Sequence, residues 1–315
     1  MTIENRPSRG PQLPLWPERV RGGPNAILRS ALFAGIASKK RQILGTQTRP
    51  EKKPEGVTIA AQDGIKIKYS GVQFNQYDAD VFFEALHRAR RDLLDTECRF
   101  TGAEFLKSIG RSRNNLNYED LDESLDRLRR GSLDLEFEVS GRRYIFSGSL
   151  VASYVRETTT KLYKVTFAKE IQTLFMPATW TQIEWDERMA LMGKPLAQWL
   201  HSYFSTHAQP FPVSAAYLQE KSGSPTKLLK HFKVELKRAF AAMETAIGWE
   251  FSWDGDLVIL KRPPSEAQGR HLARKAAKRQ AQLAASNGQR GGGMVAVSDL
   301  LPGLLKDLKR KNRRQ

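Results

Sequence analysis

The residues with the most chemical content lie between Lys221 and Arg238, where six cations (Lys221, Lys227, Lys230, Lys233, Lys237 and Arg238) meet one acid, Glu235. Projected on a helix at about 100° per residue, Leu228, Leu229, Phe232, Leu236, Ala239, Phe240 and Met243 share one side. Thr226, Lys227, Lys230, Lys233, Lys237 and Arg238 fall on the other. A row of ammonium and guanidinium groups breaks no bonds. It binds polyanions by displacing their counterions. On a helix lying in a major groove, the first turns would bring Thr226, Lys227, Lys230 and His231 to base edges, and Val234 to a thymine methyl. The competing reading is a plain solvated face, because amphipathic helices ordinarily turn lysines outward.

Other chemistry is poorly supplied. There is no GxxxxGK[ST] run for a nucleotide phosphate. The five histidines are scattered, and His201 and His207 stand six apart, so they do not share a helix face. No His-x-His pair accompanies a tyrosine, as a metal-dependent nicking site would need. Cys98 is the only cysteine, which excludes disulfide scaffolds and cysteine-rich zinc sites. With no base beside it, it reads as a small buried apolar group. The expectation is a binding protein, not an enzyme, with no metal and no cofactor. No apolar run approaches the roughly 20 residues of a membrane span, and the N-terminus lacks the apolar core of a signal peptide. A cytoplasmic setting follows as the default.

The basic helix needs elements to hold it. Ser224 is a suitable cap and Pro225 suits a first helical position, so the helix is expected from Pro225 to Ile247. A short helix from Ser214 to Lys221 precedes it, and WEFSW and LVILK follow as a hairpin turned at Asp254-Gly255. Helical segments at Trp185 to Met192 and Pro195 to Thr206 come before this set. The same order occurs earlier. A helix is expected from Tyr77 to Asp92. FTGAEFLKSIG (Phe100 to Gly110) and NYEDLDESLDRLRRG (Asn117 to Gly131) read as two more, with Asn117 and Asp120 placed as a capping box. The strand-like runs LDLEFEV, RRYIFSGSL, ASYVRE and KLYKVTF then follow. Helix, helix, strands is the grammar of a winged helix-turn-helix. The fold class expected is α+β, two tandem winged-helix (helix-turn-helix) domains with disordered basic N- and C-terminal arms.

The expected boundaries are 1–56 for a flexible arm, 57–180 and 181–262 for the domains, and 263–315 for a basic low-complexity tail with a short helix near Leu300 to Lys311. An Asp63-Gly64 hairpin opens the first domain. Charge follows this division. Eleven Lys/Arg meet four acids from Met1 to Gly56, and twelve meet three from Pro263 to Gln315, whereas Val57 to Arg262 holds 28 against 27. The helix from Asn117 is acidic at its start, with Glu119, Asp120, Asp122, Glu123 and Asp126. Phosphate would be repelled there, although Arg111 and Arg113 just before it can contact a backbone. The first domain is therefore expected either to bind DNA more weakly or to pack against another subunit, with an ordinary solvated amphipathic face as the equal alternative.

RSALF (Arg29 to Phe33), IKYSGVQF (Ile67 to Phe74), FTGAEFL, LDRLRRG and WLHSYFSTHAQPFP (Trp199 to Pro212) together resemble the TrfA-type plasmid replication initiators. The resemblance runs from the island QLPLWP (Gln12 to Pro17) to about Lys261. It implies two winged-helix domains that bind direct repeats (iterons) in double-stranded origin DNA, open adjacent AT-rich DNA and recruit the host helicase, without catalysis. It also implies a monomer–dimer equilibrium. Gln12, Leu13, Leu15 and Trp16 resemble the short peptide by which replication proteins dock on the bacterial sliding clamp. Packing of Trp16 on the protein's own body is the alternative. A transcriptional repressor of the same fold is the alternative function.

Overall fold

Order begins well before Val57. The computed structural model describes residues 12–45, 56–93 and 97–288, with side chains to residue 283. Residues 1–11 and 46–55 of the expected arm, and the short helix placed at Leu300 to Lys311, lie outside the described residues. The rest of the expected arm is part of the body. It supplies β1 (Val20–Pro24), α1 (Asn25–Leu28), β2 (Phe33–Ala34) and β3 (Ile43–Leu44).

Leu13 and Trp16, expected as clamp-docking side chains, are core residues. The Trp16 ring stacks on Phe175 at 5.8 Å between centroids and lies 5.5 Å from Trp180. Its Nε1 donates to His87 Nδ1 at 3.0 Å, so the one polar atom of the ring is satisfied. Gln12 Nε2 donates to the Arg91 carbonyl at 3.1 Å, and only Leu15, 70 % exposed, stays outside. Gly22 makes this packing possible. A Cβ on Gly22 would sit 2.7 Å from the Trp16 ring. The arm is ordered because Pro, Gly and Arg composition does not cancel Leu13, Trp16, Val20 and Phe33, all buried in one cluster.

Next come β4 (Val57–Ile59) and β5 (Lys66–Val72), the expected hairpin, and β6 (Phe74–Asn75). Asn75 and Asp78 form a capping box at the start of α2 (Gln76–Ala89). β7 (Cys98–Thr101), α3 (Gly102–Ser108), α4 (Asn115–Arg130), β8 (Ser132–Val139), β9 (Arg142–Gly148), β10 (Ser153–Arg156) and β11 (Leu162–Thr166) complete the first set. The cap of α4 lies three residues earlier than expected. Asn114 is its cap, accepting from the Asn117 amide at 2.8 Å, and Asn117 is an interior residue.

The four strand-like runs divide between two sheets. β8 and β9 join β5, with β3 and β4 at its flanks, because Ile67 and Tyr69 face Leu135 and Leu133 on one buried side. Only β10 and β11 belong with the helix pair, in the order β10-β11-β7.

β12 (Trp180–Glu184) pairs antiparallel with β1, and α5 (Trp185–Ala190), α6 (Pro195–Ser205), β13 (Val213–Ser214), α7 (Ala215–Lys221), α8 (Leu229–Ile247), β14 (Glu250–Asp254) and β15 (Leu257–Lys261) follow. This second set forms the sheet β14-β15-β13, the same plan as β10-β11-β7. Ile183 and Trp185 belong to the first hydrophobic cluster, and the second begins at Leu191. The two cores therefore part near Ala190, about ten residues beyond the expected boundary, because β12 is held by β1.

A buried polar junction ties the two sets together. Arg188, on α5, is fully buried and donates to Asp80 Oδ1 at 2.6 Å, Ser202 Oγ at 2.7 Å and Gln76 Oε1 at 3.0 Å. Gln198 adds a bond to Asp80 Oδ2 at 3.2 Å, and Trp199 donates to the Ser30 carbonyl at 3.0 Å. A buried guanidinium is tolerated only when its donors are matched in this way.

The chain divides into two units after Ser265. In the second, the expected low-complexity tail is helical over α9 (Glu266–Gly288), as its Ala, Arg, Lys and Gln content favours.

Candidate nucleic-acid interface

The basic helix starts four residues later than its sequence cues indicate. Ser224 Oγ accepts from the Thr226 amide at 3.2 Å, and the Thr226 carbonyl accepts from Gln219 Nε2 at 2.5 Å. These side-chain bonds satisfy the turn in an extended form, so Pro225 to Lys227 precede the helix and Leu228 is its N-cap. Leu228, expected on the buried side, is 53 % exposed for that reason. Gly248, at φ +68°, closes the far end of the helix in a conformation that suits glycine.

From its first turn onward, α8 presents the expected face. Phe232, Leu236, Ala239, Phe240 and Met243 are buried against the second core. Lys227, Lys230, His231, Lys237 and Arg238 are exposed, and Val234 lies among them at 49 %. Among the described residues, Lys230 and Lys237 make no hydrogen bond or ion pair, which leaves both ammonium groups available to phosphate. Two of the predicted contact residues are engaged internally. Thr226 Oγ1 donates to Glu235 Oε1 at 2.8 Å, and Lys233 is half-buried in an ion pair with Asp256 at the turn of the β14–β15 hairpin. The hairpin had been recognised from Asp254-Gly255. Its acidic charge, and the hold of Asp256 on Lys233, had not, because a two-residue turn signal says nothing of where its flanking side chains point.

In the first set, α3 and α7 correspond, and their caps agree: Thr101 accepts from the Glu104 amide and Ser214 from the Tyr217 amide. Matching the buried Leu121, Leu125 and Leu128 of α4 with Phe232, Leu236 and Ala239 of α8 places the two helices in register. Glu119 then stands where Lys230 does, Asp120 where His231 does, Asp122 where Lys233 does, and Asp126 where Lys237 does. The hairpin pairing is inverted as well. Asp122 accepts from Tyr163 OH at 2.7 Å and pairs with Arg156 on β10, where Lys233 pairs with an acid.

The cations of α4 are already used. Arg127 pairs with buried Asp78 at 3.0 Å and with Glu123 at 3.1 Å, and Arg129 and Arg130 both close on Asp126. Arg111 lies half-buried over the Tyr77 ring, 5.0 Å from its centroid. Arg113 is exposed, beside Asn115 and Leu116, the latter 66 % exposed. The structure thus brings Lys230, His231, Lys237 and Arg238 onto one face of α8, with Lys227 exposed just before it, while Arg111 and Arg113 lie in the turn between α3 and α4.

Burial pushes the Cys98 thiol up to about 12, which makes it a poor nucleophile. Among the described residues, no three His, Cys, Asp or Glu side chains converge as a metal would need. No helix among them is long and apolar enough to cross a membrane.

Among solved structures, domains 2 and 3 of RctB align at 12 % identity and a TM-score of 0.48, covering 70 % of this chain and 95 % of that one. A second RctB domain 2–3 structure aligns at 13 % identity and a TM-score of 0.41, covering 70 % and 93 %. Likenesses at that level bear no weight on fold or function. Sequence similarity reaches further. The plasmid replication initiator protein TrfA of Escherichia coli is 27 % identical over 252 residues, which cover 78 % of this chain and 63 % of the relative. The chain therefore spans less than two thirds of that relative's length. The family model described as TrfA protein matches residues 11–262, most of the body built around α4 and α8, and the chain belongs to the TrfA family.

Proposed function

We propose that this chain is a plasmid replication initiator whose two winged-helix modules act on origin DNA by binding alone. The observation that carries the proposal is the exposed face of α8 bearing Lys230, His231, Lys237 and Arg238, with exposed Lys227 just before the helix; α8 is locked by its apolar side to α6 and α7 and followed by a hairpin. A helix so placed offers unpaired cations to phosphates and His231 and Val234 to base edges. In this reading the second module reads iterons, AT-rich DNA opens beside them and offers a single strand, and the host helicase is recruited there. The setting is the cytoplasm.

Clamp docking through Gln12 to Trp16 meets an opposing observation. Leu13 and Trp16 would have to leave the first core to enter a partner. Comparing clamp recovery by the wild-type chain and by Leu15→Ala, which leaves that core intact, tests the docking. Equal recovery rejects it.

Footprinting on the plasmid's own origin, with reactivity of unpaired thymines measured in parallel, tests the main proposal. Protected repeats spaced by about one helical turn with reactive thymines beside them are expected. Protection without melting favours a repressor, and no protected repeat at all rejects both.

A further inference from the structure

A hollow of about 380 Å³ opens between residues 35–40, the first turn of α6 and one flank of α8. Small residues make it. Ala37, Ala197, Ala239 and Ala242 line it and offer nothing beyond a Cβ. Gly35 lets the chain close on α6, since a Cβ there would sit 3.2 Å from Trp199 Cβ and 3.3 Å from Leu196 Cα. Ile36, Pro195 and Leu196 complete an aliphatic wall. The volume falls within the roughly 300–1,000 Å³ of small-molecule sites.

Three exposed cations, Lys40, Lys194 and Arg238, stand around it, and none of their side chains holds an ion pair or hydrogen bond among the described residues. The acid of the lining, Glu235, already accepts from Thr226 Oγ1 at 2.8 Å, and Ser224 Oγ accepts from the Thr226 amide at 3.2 Å. α6 adds the positive end of its dipole, because its first turn lines the hollow and no side chain caps it. The site is therefore apolar inside and positive at its edge. Among the described residues, no aromatic ring lines it for a nucleobase to stack on. Apart from the three cations, no free polar side chain is there to match a sugar or a peptide.

We propose that this hollow binds a free fatty acid of medium chain length, its alkyl chain inside and its carboxylate among Lys40, Lys194 and Arg238. Each buried methylene gains by leaving water, and the carboxylate meets cations that the described residues leave unpaired. A carboxylate held there also occupies Arg238, which belongs to the exposed face of α8. Fatty acid and DNA phosphate then compete for one cation. This consequence rests on the reading of α8 as the DNA face; the binding itself does not.

The test is titration of the full chain with hexanoate, octanoate and decanoate below their micelle concentrations, followed by calorimetry and by melting temperature. One molecule per chain is expected, with affinity rising roughly three- to fourfold per added methylene. Decyltrimethylammonium should not bind, because like charges meet at the edge. Lys194→Glu, at an exposed position, should weaken decanoate binding roughly tenfold. Ala242→Leu, which fills the hollow, should weaken it at least as much; if that variant does not fold, Lys194→Glu decides alone. Neither heat nor a raised melting temperature with decanoate, equal binding of the two decyl probes, or wild-type affinity in Lys194→Glu overturns the inference. So does binding to phosphatidylglycerol vesicles without binding of monomeric decanoate. Failure of the DNA reading is separate: decanoate would bind, yet at saturation it would leave origin-duplex affinity unchanged where a few-fold loss is expected.

Discussion

α4 and α8 occupy equivalent places in two frames built alike. Each follows a short capped helix, and each sits against a three-stranded sheet whose last strand is central. Leu121, Leu125 and Leu128 bury one helix as Phe232, Leu236 and Ala239 bury the other. Most outward positions then diverge, with Glu119, Asp122 and Asp126 in one helix and Lys230, Lys233 and Lys237 in the other, while Arg127 and Arg238 keep one cation at the same place. The buried positions decide which residues face outward, and the outward residues decide what can be met there. A shared frame therefore does not argue for a shared partner.

That comparison presupposes that the two frames are held as one, and the largest expected effect lies at the junction. Arg188→Met removes the partner of buried Asp80 and strands its carboxylate among Gln76, Gln198 and Ser202. A loss of about 3–5 kcal/mol is expected for an uncompensated buried charge. Urea unfolding should show both modules destabilised in one transition. Two separate transitions, with only one shifted, would mean that the modules are independent and that their relation is not fixed by this contact.

Next in size is the difference between the helices themselves. Lys230→Ala/Lys237→Ala should weaken DNA binding by about ten- to a hundredfold near 0.1 M salt and reduce the slope of log affinity against log salt by about 2. A change on the other helix, Glu119→Ala/Glu123→Ala, should not weaken it at all. Titration of a labelled origin duplex at several salt concentrations measures both. Equal losses from the two changes would erase the distinction between the helices, and no change from the first would remove α8 from the interface.

Much of this distinction was legible beforehand, and its limits have physical causes. The 3.6-residue period locates both helices because burying one side of each dominates their stability. β7 and β13 escaped notice because a strand of two to four residues that ends in a helix cap has too little alternation to register. The start of α8 was misplaced because Ser224-Pro225 is a sound cap pair in isolation, and only Gln219, seven residues before Thr226, reveals that the turn is satisfied otherwise. The arm from Gln12 was misjudged for a related reason. A flexible arm was expected there, but Gly22 leaves the space that Trp16 fills. The face of lysines on α8 needed no such distant information, and it was found nearly complete.

The modules also hold their histidines differently, which offers a smaller test. In the first, His87 accepts from Trp16 and sits 2.9 Å from Glu18, so it couples the arm to α2. Burial, with Arg21 nearby, pushes it from 6.5 down to about 4. The unfolded chain thus takes up this proton first. The stability it protects is present above about pH 6.5 and declines as pH falls toward 4, by at most roughly 1.4 kcal/mol per pH unit. In the second module His207 is likewise pushed down to about 4 by burial and Arg29, and burial lowers His201. Denaturant midpoints from pH 7 to pH 4 should therefore fall in the wild type and fall less in His87→Gln. An identical decline in that variant would assign the acid sensitivity to the second module alone.

The smallest expected effect lies where each helix meets its hairpin, and it isolates the sign inversion best. Asp256 neutralises Lys233, so phosphate must displace the hairpin carboxylate before using that cation. Asp256→Asn should raise DNA affinity a few-fold, in keeping with the roughly 0.2–1 kcal/mol of an exposed pair. The salt slope should also steepen, because one more cation then exchanges counterions on binding. The mirror change in the first module, Arg156→Gln, frees an acid, Asp122, and can recruit no phosphate. It should leave DNA affinity unchanged while weakening the hold of β10 on α4. A gain from Arg156→Gln equal to that from Asp256→Asn would show that net charge, not the polarity of each helix and its hairpin, governs the interface.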